Sequence, residues 1–231
     1  MRKKAFRRVF LDTLPVLTGY LFLGTGFGVL LSEQTGHGML WALAMAVFIY
    51  AGSAQYLLVS LLAAKASVLS AALAALVVNA RHLFYGISLV DSYRDAGKKK
   101  PYMIFALTDE TYSLVTQNQP PEGMSRHSYC FWVSLVNHLY WICGCMLGDL
   151  VKRVLPISFE GVEFVLTALF VTIFVEQWLC SKHHRPALIG VMSTALCLLI
   201  FGKEIFLIPS MVLIALLLTL SRKTGRRAAD A

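Results

Sequence analysis

The chain is 231 residues long, 57% hydrophobic and only 15% charged, with a mean hydropathy of +0.65. An ordinary soluble domain is about 25% charged, so this composition excludes a disordered chain, a coiled coil and a disulfide-stapled scaffold, and it argues against a soluble globular protein. Lys plus Arg number 21 against 13 Asp plus Glu, but the basic residues fall in short clusters between apolar blocks, the pattern that orients a membrane protein.

The start, Met1-Arg2-Lys3-Lys4-Ala5-Phe6-Arg7-Arg8, resembles a secretory or twin-arginine signal. The apolar block behind it, 14–31, is too long for a signal core and lacks an Ala-x-Ala site, so it reads as a retained first transmembrane helix behind a basic tail, 1–11. Gly24 and Gly28 lie one helical turn apart in this block, a small-residue spacing that favours close helix packing.

Further apolar blocks follow at 39–64, 68–90, 102–115, 129–150, 164–180, 187–201 and 205–220, most of them near the ~20 residues that cross a bilayer. Block 39–64 is interrupted at its middle by Ala51-Gly52-Ser53-Ala54-Gln55. Glycine weakens a helix, and Ser and Gln need partners in hydrocarbon, so this segment reads as broken or re-entrant. Unwound backbone there points N–H groups and a positive dipole end at an anion; the alternative is a Gly packing notch with a helix-to-helix Gln hydrogen bond.

Block 68–90 carries Asn79-Ala80-Arg81-His82 just past its midpoint. A charge at that depth costs at least ~2.5–3.5 kcal/mol, so it normally faces a cavity or a partner. Ala72, Ala75, Asn79, His82 and Gly86 share one face, with Arg81 turned off it by about 100°. The segment 102–117 is a short partial helix carrying Thr108-Asp109-Glu110. Adjacent carboxylates repel in a dry setting, which suits proton coupling; the alternative places both acids in solvent at the cytoplasmic surface.

Block 129–150 holds Gly144 and Gly148, again one turn apart and read as helix packing. Asn137, Trp141, Gly144 and Gly148 share a face that either lines a cavity or makes a structural hydrogen bond; His138 has no assigned role. Cys130, Cys143, Cys145, Cys180 and Cys197 read as small apolar packers, not as a metal site or disulfide framework. Glu176, Gln177 and Trp178, beside Lys182-His183-His184-Arg185, read as an interfacial anchor. Residues 221–231 form a second basic tail.

The fold class is therefore all-α: a polytopic helical membrane protein and one domain, 1–231, with about six full spans plus the irregular segments 39–64 and 102–117; eight full spans is the alternative. With six spans, only Lys65, Lys152, Arg153 and Lys203 lie outside, Arg81 is in the membrane, and every other Lys and Arg is cytoplasmic. With eight, Arg94 and Lys98 to Lys100 move outside and Lys65 moves inside, so the positive-inside rule favours six. Both arrangements keep the two termini in the cytoplasm. There is no Walker, Rossmann, His-Glu-x-x-His or Gly-x-Ser-x-Gly pattern, so no enzyme and no cofactor is indicated.

The sequence resembles the AzlC family, the large subunits of branched-chain amino acid exporters. The matching pieces are Pro15 to Gly19, Gly24-Thr25-Gly26-Phe27-Gly28, Tyr50-Ala51-Gly52-Ser53-Ala54-Gln55-Tyr56, Asn79-Ala80-Arg81-His82-Leu83-Phe84-Tyr85 and Leu107-Thr108-Asp109-Glu110. A fainter echo runs from Gly161-Val162-Glu163-Phe164 to Ala168-Leu169-Phe170. Tyr50 and Tyr56 stand where the family often has Phe. The resemblance implies a plasma-membrane exporter of apolar amino acids working with a small multi-spanning subunit of the AzlD type.

Taken with the polar groups at membrane depth, it sets these expectations. Gly52, Ser53, Ala54, Gln55, Asn79 and Arg81 bind substrate, while His82, Asp109 and Glu110 couple protons in an antiporter. The competing classes are a channel and a non-transporting membrane scaffold.

Overall fold

The computed structural model describes residues 2–79, 81–155, 164, 167–168, 171, 174–175, 178–179, 184–206, 209–210, 212–214 and 216–220, without the side chains of residues 2, 3, 77, 81, 83, 84 and 203–205. The Glu176-Gln177 pair, Cys180 and the 221–231 tail lie outside the described residues. The described residues are mostly helical and without strands, as expected, and fall into two compact units, Met1–Thr167 and Ala168–Ala231.

The first unit is built on two long helices, α1 (Arg2–Thr35) and α8 (Arg126–Val154). Both are long and apolar enough to cross a membrane. Ser125 starts α8 by accepting a hydrogen bond from the Ser128 amide, and Arg126 ties α8 to the preceding loop by donating to the carbonyls of Asn118 and Val115. The two helices run parallel. Asp12 accepts from Tyr129, Thr13 meets Tyr140, Gly24 faces Gly144, and Glu33 pairs with Lys152.

Glycine sets the closeness of this pair. A Cβ placed on Gly24 would lie 2.9 Å from the Cys145 amide nitrogen, and one on Gly148 would lie 2.7 Å from the Gly28 Cα and collide with the Thr25 carbonyl. Only residues without a Cβ allow main chains to approach this closely.

Parallel packing constrains the crossings in between. If α1 and α8 both span, the chain must cross an odd number of times between them. With the 68–90 segment crossing once, the two irregular segments either both cross or both do not.

The first irregular segment is α2 (Met39–Phe48) followed by α3 (Gly52–Ala63). The helix breaks at the expected place: Tyr50 has φ +40° and Ala51 is extended. A non-glycine residue there stores ~1–3 kcal/mol, and the Tyr50 ring is held by stacking on His138 at 4.0 Å. Gly38 opens α2 without a side-chain cap, and the buried Asp149, bonded to Arg153 at 2.7 Å, lies against that positive end.

The 68–90 segment is α4 (Val68–Asn79) and α5 (Arg81–Leu89). The second irregular segment is also interrupted, where a single short helix was expected. α6 (Lys100–Phe105) ends, and α7 (Asp109–Gln117) starts afresh because Thr108 caps it through the Thr111 amide. Asp109 and Glu110 are thus first-turn acids on a positive helix end.

In the second unit, α9 (Arg185–Ile205) has an apolar length sufficient to span and bends at Gly202, φ +72°. His184 stacks on Trp178 at 4.2 Å. Cys130, Cys145 and Cys197 are buried, but Cys143 is exposed and does not pack as expected, because it lies on the outer side of α8 while Cys145 turns toward α1.

Candidate functional site

The two helix breaks meet at a polar cluster on the inner faces of α1 and α8. Tyr20 Oη donates to Glu110 Oε2 at 2.8 Å and lies 2.7 Å from the Thr108 hydroxyl. Thr108 donates to the Thr111 hydroxyl at 3.0 Å, and Asn137 Nδ2 donates to the same Thr111 oxygen at 3.0 Å. The result is a chain from Glu110 through Tyr20, Thr108 and Thr111 to Asn137, crossing from α1 through α7 to α8.

The break between α2 and α3 adjoins it. His138 Nε2 lies 3.1 Å from the Ala46 carbonyl, so this nitrogen donates, and the neutral ring's Nδ1 accepts from Tyr102 Oη at 2.9 Å. Trp141 Nε1 donates to Gln55 Oε1 at 2.7 Å, and its ring packs against Gly52 and edge-on against Tyr20 at 5.3 Å. Trp141 therefore links the start of α3 to the ring of Tyr20. The Tyr50 hydroxyl lies within electrostatic reach of Glu110, Tyr20 and Thr108.

The cluster is not closed on itself. Tyr50 Oη, Gln55 Nε2 and Asn137 Oδ1 are buried with no hydrogen-bond partner among the described residues. Buried polar groups are satisfied in about nine cases of ten. Three exceptions in one place make this the region where a polar ligand or a proton would be accommodated.

The expected site residues divide between two places. Gly52, Ser53, Ala54 and Gln55 form the first turn of α3, with the last three buried, and Glu110 belongs to the Tyr20 cluster beside Asp109. Asn79 and His82 line a separate cavity with Lys100, and His82 Nδ1 donates to the Asn79 carbonyl at 3.0 Å. The side chain of Arg81 lies outside the described residues. α5 reaches α7 through Tyr85 stacked on Tyr112 at 4.6 Å and a Ser88–Tyr112 hydrogen bond. Gly24, Gly28, Gly144 and Gly148 sit at the α1–α8 contact.

Tyr20, Tyr102 and Thr111 were not singled out in the sequence, and His138 had no role there. The signal for the first turn of α7 was present, because Thr followed by Asp-Glu is an N-cap pattern. The interhelical partners had no local signal.

The family model described as AzlC protein matches residues 15–155. The chain belongs to the AzlC family. The matched stretch contains every residue of the polar cluster and of the Asn79 cavity. The AzlC relative from Bacillus subtilis (strain 168), a branched-chain amino acid transport protein, is 39% identical over 224 residues, covering 97% of this chain and 88% of its own. An uncharacterized membrane protein of Helicobacter pylori (strain ATCC 700392 / 26695) is 41% identical over 220 residues, covering 95% of this chain and 96% of its own. The inner membrane protein YgaZ of Escherichia coli (strain K12) is 26% identical over 205 residues, covering 87% and 82%. No solved structure matches the chain.

Proposed function

We propose that this chain is a secondary active exporter of branched-chain or similar apolar amino acids across the plasma membrane, coupled to protons and assisted by a small multi-spanning subunit of the AzlD type. It is a carrier and not an enzyme. The observation that supports this reading best is the placement of Glu110: an ionisable group wired through hydroxyls into the junction of two interrupted helices. Intramembrane carboxylates and broken helices recur together where carriers bind cargo and ions. The Bacillus subtilis relative, a branched-chain amino acid transport protein, supports the cargo class.

The hydroxyl chain suits a proton that comes and goes. With Glu110 ionised, Tyr20 donates to it and Thr108 donates to Thr111. With Glu110 protonated, the acid donates to Tyr20, whose own proton turns to the Thr108 oxygen, while Thr108 keeps donating to Thr111. Each hydroxyl both donates and accepts, so both charge states are satisfied without moving a helix. The positive start of α3 at Gly52 attracts a carboxylate, and Glu110 attracts either a proton or the cargo's ammonium. Competition between these two at one acid is the coupling step.

The test is leucine counterflow in proteoliposomes, with and without the small subunit. Wild type is expected to exchange labelled leucine and to export it faster down an inward proton gradient. Glu110→Gln, which mimics the protonated acid, should weaken leucine exchange and gradient-driven export together by about tenfold or more, ~1.4 kcal/mol. Absence of counterflow in both preparations, or export indifferent to the gradient, overturns the reading.

A further inference from the structure

α4, α5 and α6 enclose a cavity of about 380 Å3, within the ~300–1,000 Å3 of small-molecule sites. Its floor is Leu89, Tyr93 and Leu107, all buried, with the Tyr93 hydroxyl lying near Cys130 and Arg126. Leu76 and Ile104 form an exposed apolar rim. This lining could hold an aliphatic group of any kind; the polar side chains that interrupt it are more selective.

Asn79 Oδ1 is buried and has no hydrogen-bond partner among the described residues. His82 Nδ1 donates to the Asn79 carbonyl, so the neutral ring presents Nε2 as a second acceptor. Half-buried Lys100 brings donors only. α4 and α5 therefore supply acceptors and α6 supplies a cation, around an apolar floor. A hydrocarbon would leave Asn79 and Lys100 unanswered, a simple carboxylate would leave both acceptors unanswered, and a simple amine would meet Lys100 with like charge. A zwitterion with an aliphatic side chain answers all of them.

We infer that this cavity binds an α-amino acid with an aliphatic side chain, its carboxylate on Lys100 and its ammonium on Asn79 and His82. The inference rests on the export reading and adds to it a loading site apart from the Glu110 cluster. In the topology favoured by charge, Lys98 to Lys100 are cytoplasmic, the side from which an exporter collects its cargo.

The test is equilibrium binding of tritiated leucine to the full chain in nanodiscs, with leucinamide (no carboxylate) and isocaproate (no ammonium) as competitors. Lys100→Gln is expected to weaken leucine by about tenfold or more while strengthening leucinamide, which no longer meets a like charge. Asn79→Ala should weaken leucine and leucinamide and spare isocaproate. Independently of any variant, leucine should protect Lys100 of the wild-type protein from amine acylation, read by mass spectrometry. Unchanged leucine affinity in Lys100→Gln, or acylation of Lys100 at the same rate with and without leucine, overturns the assignment. If leucine counterflow persists in that case, only this site falls. If the wild type neither binds nor exchanges leucine, the export reading falls and the site with it.

Discussion

Tyr20 is the residue through which the carboxylate of α7 communicates with the rest of the cluster. Its hydroxyl touches Glu110 and Thr108, and its ring meets Trp141 edge-on. Tyr20→Phe removes the oxygen and keeps the ring contact. The expected outcome is a protein that melts within a few degrees of wild type but whose leucine export loses its dependence on pH, measured in proteoliposomes across a pH series. At this scale, the sequence made Glu110 visible, because an acid inside an apolar block is conspicuous. Tyr20, Asn137 and His138 were not legible in the same way. A Tyr, Asn or His within a hydrophobic helix has many reasons to be there, and its bond to another helix leaves no trace in periodicity.

At the scale of elements, the closeness of α1 and α8 makes a sharp prediction. Gly148→Ala would drive a Cβ into the Thr25 carbonyl and the Gly28 Cα. Main chain cannot step aside as a flexible side chain can, so a loss of about 1–3 kcal/mol is expected. Gly19→Ala, on the same pair but with nothing within 4 Å of its added carbon, should be neutral or gain ~0.5–1 kcal/mol from helix propensity. Thermal unfolding of the detergent-purified protein compares the two, and equal melting temperatures would refute the backbone-contact account. The glycine spacing was legible in both sequence blocks, and so was the interruption around Gly52. The residue that takes up the bend was not: Tyr50, and not the glycine two positions on, carries the positive φ. Sequence alone gives the left-handed region to glycine, whereas here stacking on His138 holds a bulky ring in it. The second interruption was not legible because its apolar run is continuous across Leu107, and a lone Thr ahead of two acids marks a helix start only weakly.

The parallel course of α1 and α8 governs the topology of the first unit. Lys65 and Lys98 must lie on opposite sides of the membrane whether the irregular segments cross or not, because only the 68–90 segment separates them. A single cysteine at each of these positions, in a background cleared of the native cysteines, can be labelled with an impermeant maleimide in intact and inverted vesicles. Opposite accessibility is expected, with Lys98→Cys on the side of the N-terminal tail in the six-span arrangement favoured by charge. Labelling of both from one side would break the parallel-helix argument. The broad class was legible from composition alone, since blocks of bilayer length outweigh every local ambiguity. The number of crossings was not, because charge counts on short loops shift by only a few residues between the two arrangements.

Two chains of peptide units held at van der Waals distance cannot ratchet past one another by a fraction of a turn. Gly24, Gly28, Gly144 and Gly148 therefore weld α1 and α8 into a fixed post. On the export reading, exchange of access between the two sides of the membrane falls to the short segments around this post, the pairs α2–α3 and α6–α7 among them.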